Sequence, residues 1–131
     1  MGSMSNYLEN KVLDHIFGKA TYTASTVYVG LSTADPLEDG SGLAEPSGGS
    51  YARVETSTSD WTAASGGLLS NANDITFPEA TGSWGTCTHF ALFDAATAGN
   101  MLYYGALTAS KSPTSGDVAK FAAGDLTITQ D

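Results

Sequence analysis

A chain of 131 residues with 14 acidic and 5 basic side chains, for a net charge of −9, is one domain by size, and its surface repels phosphate. That excludes nucleic acid as a partner and disfavours an anionic membrane, while the low charged fraction of 15% leaves Gly, Ser, Thr and Ala to form close-packing, neutral contact surfaces. Cys87 is the only cysteine, so neither an internal disulfide nor a thiolate metal cluster can form within one chain.

Met1-Gly2-Ser3 ahead of Met4 has the form of an expression scar, with residues 4–131 expected as a single domain. Glu9, Lys11, Asp14 and His15 break up residues 1–20, so no apolar signal core is expected there, and no stretch is long and apolar enough to span a membrane. The spacing predicts one helix over about 6–17. Asn6 is placed to cap it, Glu9 follows three residues later as in a capping box, and Gly18 supplies a left-handed stop. Leu8, Val12, Leu13 and Ile16 share one side, bordered by Phe17. Three turns cannot stand alone in water, so this stripe must dock on its own β-domain or on a neighbouring subunit.

From Thr26 onward the apolar clusters are short, alternate with Ser, Thr or Gly, and end in turn signals. Thr26–Thr33 is the first expected strand. Residues 34–50 then form a long loop rich in Gly, Pro and acidic residues, of the kind that is functional or mobile. Further strands are expected at Tyr51–Thr56, Ile75–Phe77, Thr86–Asp94, Met101–Thr108, Val118–Phe121 and Leu126–Thr129, with 97–100 turning a hairpin. Alternation along Thr86–Asp94 places Phe90 and Leu92 on one face, and Cys87, His89, Ala91 and Phe93 on the other. The pattern predicts an all-β fold, an antiparallel β-sandwich or jelly-roll-like barrel with one N-terminal α-helix. Trp61, Phe77, Trp84, Phe90, Phe93 and Leu102 are the expected core.

The polar residues suggest no reaction centre. His15 lies on the polar side of the helix, and His89 and Asp94, five apart on a strand, point to opposite faces. No Gly-x-Ser-x-Gly elbow and no EF-hand spacing occur, so the chain is expected to be no enzyme and to carry no cofactor or metal. Asp35, Glu38, Asp39 and Glu45 instead read as a solvated acidic loop, and Arg53 as the partner of a carboxylate, preferably within the domain and otherwise across a subunit boundary. Of Tyr103 and Tyr104, one is expected to present its ring outward, as suits a contact surface.

Several strings resemble a family of small tailed-bacteriophage virion proteins. They are Val27-Tyr28-Val29-Gly30-Leu31-Ser32-Thr33-Ala34-Asp35-Pro36, Gly48-Gly49-Ser50-Tyr51-Ala52-Arg53-Val54, Ile75-Thr76-Phe77-Pro78, Trp84-Gly85-Thr86, Phe90-Ala91-Leu92-Phe93-Asp94, Leu102-Tyr103-Tyr104-Gly105 and Phe121-Ala122-Ala123-Gly124-Asp125-Leu126. The resemblance implies a structural protein of the virion and brings no catalytic residue. It leads first to a capsid decoration (cement) protein on the outer shell, whose partners are the major capsid protein or other virion proteins and which assembles as a homo-oligomer, a trimer. The alternatives are a tail-fibre or tail-tip component contacting the host, and a carbohydrate-binding module stacking sugars on Tyr28, Trp61, Tyr103 and Tyr104. The expected partner contacts are Leu8, Val12 and Ile16 of the helix, with Asp35, Glu38, Asp39, Glu45 and Arg53 in and beside the long loop. Removing residues 4–18 is expected to abolish that contact and leave the β-domain folded.

Overall fold

The structure, a computed structural model, describes residues 2–130. Strand β1 (Gly2–Met4) opens the chain, followed by helix α1 (Asn6–Ile16) and strands β2 (Tyr28–Ser32) and β3 (Val54–Glu55). A 3-10 turn over Thr58–Asp60 leads to β4 (Leu68–Ser70), β5 (Ile75–Thr76), β6 (Cys87–Phe93), β7 (Met101–Lys111), β8 (Lys120–Phe121) and β9 (Thr127–Thr129). Seven strands in the order β3-β2-β6-β7-β1-β9-β4 form a mixed sheet that curls into a half-barrel, and β5 and β8 make a separate two-stranded ribbon. The fold is thus all-β with one N-terminal helix, as the alternating pattern implies.

The centre of the sheet is built where apolar alternation is strongest. Val29 pairs with Leu92 and Leu31 with Phe90, and β6 returns into β7 through the turn at 94–100. Val29, Leu31, Phe90, Leu92 and Ile128 join Ile75, Phe77, Trp84 and Phe121 in the main core. Five aromatic rings interlock there, with Trp84 edge-on to both Tyr51 and Phe77. Each large side chain so buried contributes about 1.5–3 kcal/mol. The opposite face carries Ala91, Phe93 and Met101, with Tyr28, Leu43 and Tyr104 packed on them. Both faces of β2 are covered, which is why Gly30 and Ser32 are buried as fully as Val29 and Leu31. Gly30 can only be glycine, since a Cβ there would lie 2.8 Å from Tyr51 Oη and 3.1 Å from the Phe93 ring.

Three expectations need correction. Cys87 does not share a face with Ala91 and Phe93; it lies in the main core with Phe90 and Leu92. The register of β6 on β7 shifts between Cys87 and His89, where β7 carries the surplus residues, and regular two-residue alternation breaks at that irregularity. Trp61 is half-buried against the main core, with Nε1 donating to Thr56 Oγ1 at 3.0 Å; the other five expected core residues are buried. The helix cap is Ser5 in place of Asn6. Ser5 Oγ accepts from Leu8 N at 3.2 Å and donates to Met101 O at 2.5 Å, so one buried hydroxyl both starts α1 and fastens it to β7.

Gly2 and Ser3 take part in the sheet. Gly2 pairs with Gly105 on one side and, in parallel, with Ile128 on the other, while Ser3 faces Tyr104 and Met4 faces Tyr103. Met1, the remaining residue of the expected scar, lies outside the described residues. Since β1 is an inner strand and Met4 is buried, residues 4–18 are not a detachable arm, and deleting them would open the sheet between β7 and β9.

Candidate contact surfaces

Helix α1 splits its apolar stripe between two environments. Leu8 packs with Met4 and Leu102, and Val12 is half-buried beside them together with Tyr7 and Tyr22. The last turn then runs off the body of the domain. Leu13 is 55% exposed, Ile16 69% and Phe17 72%. Residues 13–21 are all exposed, and past Gly18 the backbone is held chiefly by Asp14 O and His15 Nδ1. Of the three helical residues expected at a contact, Ile16 is therefore presented, Val12 partly so, and Leu8 serves the fold.

The loop over 34–50 is ordered by its own hydrogen bonds. Thr33 N donates to Ala44 O, Ser32 Oγ accepts from Ala44 N, and Pro36 is buried at its base. Asp35 Oδ1 accepts from Leu37 N and Asp39 Oδ1 from Ser41 N, so each carboxylate shapes a tight turn. The bonds from Ser41 hold the Asp39 carboxyl below the usual carboxylate range.

Arg53 locks the far end of the loop to the domain. Its Nε and Nη2 grip Glu45 at 3.0 and 2.6 Å, its Nη1 donates to Ala95 O and Ala98 O, and the guanidinium lies 3.4 Å from the Phe93 ring centre. The Arg53 side chain is 5% exposed and Glu45 21%. Tyr51 Oη donates to Glu45 at 2.6 Å and accepts from Leu31 N, bringing strand β2 into the same network. Burial, followed by the bond to Glu45, pushes the Tyr51 hydroxyl far above its ordinary pKa. The carboxylate partner of Arg53 is thus within the domain. Glu38, Asp39, Glu45 and Arg53 line one cleft of about 520 Å³ between the start of α1 and the 98–101 turn; Asp35 lies outside it. Among the described residues no three His, Cys, Asp or Glu side chains converge as metal ligands.

A second hollow is only faintly marked in the sequence. An open groove of about 610 Å³ is lined by Val27, Trp61, Leu69, Leu92, Tyr103 and Ile128, with Leu68 beside them 42% exposed. It lies between the residues leading into β2 and the edge strand β4. The consecutive Leu68-Leu69 carried a faint signal, because a strand with one wet face should not place two leucines in succession. Trp61 and Tyr103 line this groove, whereas Tyr28 and Tyr104 pack around Phe93, so the four rings do not form one sugar-stacking platform. Neither Tyr103 nor Tyr104 stands free in solvent; both are half-buried.

Cys87, His89 and Asp94 are each engaged within the fold. Cys87 is wholly buried and its thiol is pushed up by desolvation. His89 Nδ1 meets Thr88 Oγ1 at 2.8 Å. Asp94 is tied to Asn100 N at 2.7 Å and to Asn100 Nδ2 at 2.9 Å, closing the β6–β7 turn. Burial pushes the Asp94 carboxyl up, but those bonds outweigh it and leave its pKa lowered.

A family model described as podophage GP4 fiber I protein gp80 matches residues 3–129. No curated protein matches the chain.

Proposed function

We propose, on the premise that this chain belongs to the podophage GP4 fiber I protein gp80 family and is therefore a structural part of a tailed-phage virion, that it is a building block of the tail fibre. It acts without catalysis, as a homo-oligomer joined to other virion proteins. The family description supports the fibre placement. The single structural observation behind the assembly role is the last turn of α1, where Leu13, Ile16 and Phe17 are held in water on a helix anchored by its other end. Assembly would draw these side chains out of water, and association with the particle stabilises both components by mass action. A stable junction needs roughly 1,200–2,000 Å² of buried surface, so the three side chains form its centre and the flanking polar residues its rim.

Gold-labelled antibody against this protein, imaged on intact particles, is expected to decorate the tail. Label over the head shell would overturn the fibre placement and support a capsid decoration (cement) protein.

A further inference from the structure

We propose that the last turn of α1 inserts into the apolar groove of a second copy of this chain, making a head-to-tail contact. This deepens the assembly reading above and rests on it, although it does not depend on where in the particle the protein sits. The chain carries an apolar projection made by Leu13, Ile16 and Phe17, and an apolar hollow of about 610 Å³ between Trp61, Leu69 and Ile128. A cavity of about 150 Å³ lined by such residues already takes a benzene-sized group, so this groove has room for several large side chains. The projection does not fill the groove of its own chain. Ser5 and Leu8 fix the start of α1 on β7, and none of the three exposed residues lines the hollow.

Charge favours a second copy as the occupant. Lys11 and Lys19 against Asp14 give residues 11–19 a net +1, so the rest of the chain carries −10. The groove shares Val27, Thr58 and Trp61 with a neighbouring hollow bordered by Glu55, so an exposed acidic side chain stands beside it to meet the lysines of a second copy. Donor and acceptor are different patches of one surface, so the contact is heterologous. It closes into a ring when the rotation between copies divides a full turn, as at three copies, and otherwise runs on as a filament.

The test uses three variants of the full chain, one in the projection and two in the groove. Phe17→Glu disables the projection at a residue whose backbone caps α1 and whose side chain is 72% exposed. Leu68→Lys disables the groove at a half-exposed position, and Ala64→Trp, on the exposed turn before β4, blocks it by bulk should the lysine disturb the edge strand. Sedimentation is expected to show the unaltered chain as a ring or longer series, each variant alone as a monomer, and an equimolar mixture of Phe17→Glu with a groove variant as a dimer and nothing larger. In that dimer the intact projection of one chain sits in the intact groove of the other. The proposal is overturned by an unaltered chain that stays monomeric at about millimolar concentration, by variants that keep the unaltered mass, or by a mixture that yields no dimer. These results leave the fibre placement standing, since antibody labelling of particles decides that separately.

Discussion

Arg53 shows how far one side chain can organise a surface. It reaches Glu45 from the long loop, two carbonyls of the 94–100 turn and the ring of Phe93 in the sheet, almost without contact with water. Arg53→Met should destabilise the domain by about 1.5–3 kcal/mol, because Glu45 stays behind as a half-buried charge held by the Tyr51 hydroxyl alone. Adding Glu45→Gln should restore much of that loss by removing the orphaned charge, as thermal or urea melts of the single and double variants will record. Tyr51 adds a pH signature. Its folded pKa is raised above the unfolded value of 10.0, so its contribution is complete below that pH and is lost as pH climbs beyond it. Melting temperature should fall steeply above pH 10, and Tyr51→Phe should flatten that fall. The pairing of Arg53 within the domain was foreseeable, because an isolated cation in an acidic chain seeks a carboxylate. Asn71 was not. In sequence it belongs to a turn cluster, yet it is buried, donates to Ala122 O and accepts from Leu126 N, joining segments fifty residues apart. Nothing local distinguishes such an asparagine from a solvated one.

Among elements, those with strong local patterns were legible and those fixed by distant partners were not. The helix, the β6–β7 hairpin and the inner strand β2 follow from their own residues. β1 does not, because Gly2–Met4 has no strand signal and is recruited by the gap between β7 and β9. The register shifts between β6 and β7 are hidden for the same reason, since the surplus residues lie in β7 and only the pairing of the two strands shows them. Ser5 sits at the junction of these elements, capping α1 and bonding to β7. Ser5→Ala removes both contacts and leaves Met101 O without its hydroxyl donor. It should cost about 1–3 kcal/mol, read as a lowered denaturant midpoint with an unchanged slope.

For the molecule as a whole, composition and alternation specified an all-β body with a helical attachment, but they left its layout open. Alternating strands pack equally well as stacked layers or as one curled sheet, and the choice lies in pairings separated by up to the length of the chain. The contact surface was half legible for a related reason. The helical stripe announces an apolar face but not where along it the domain ends, so Leu8 and Ile16 look alike in sequence and differ entirely in exposure. The groove depends on Val27, Trp61, Leu92 and Ile128 meeting from four separate segments.

The parallel pairing of Gly2 with Ile128 sets β1 and β9, far apart in sequence, side by side. A crossover linker of about a dozen residues, as adjacent parallel strands require, would join them, so a circularly permuted chain reopened at Gly66-Gly67 should keep the native sheet.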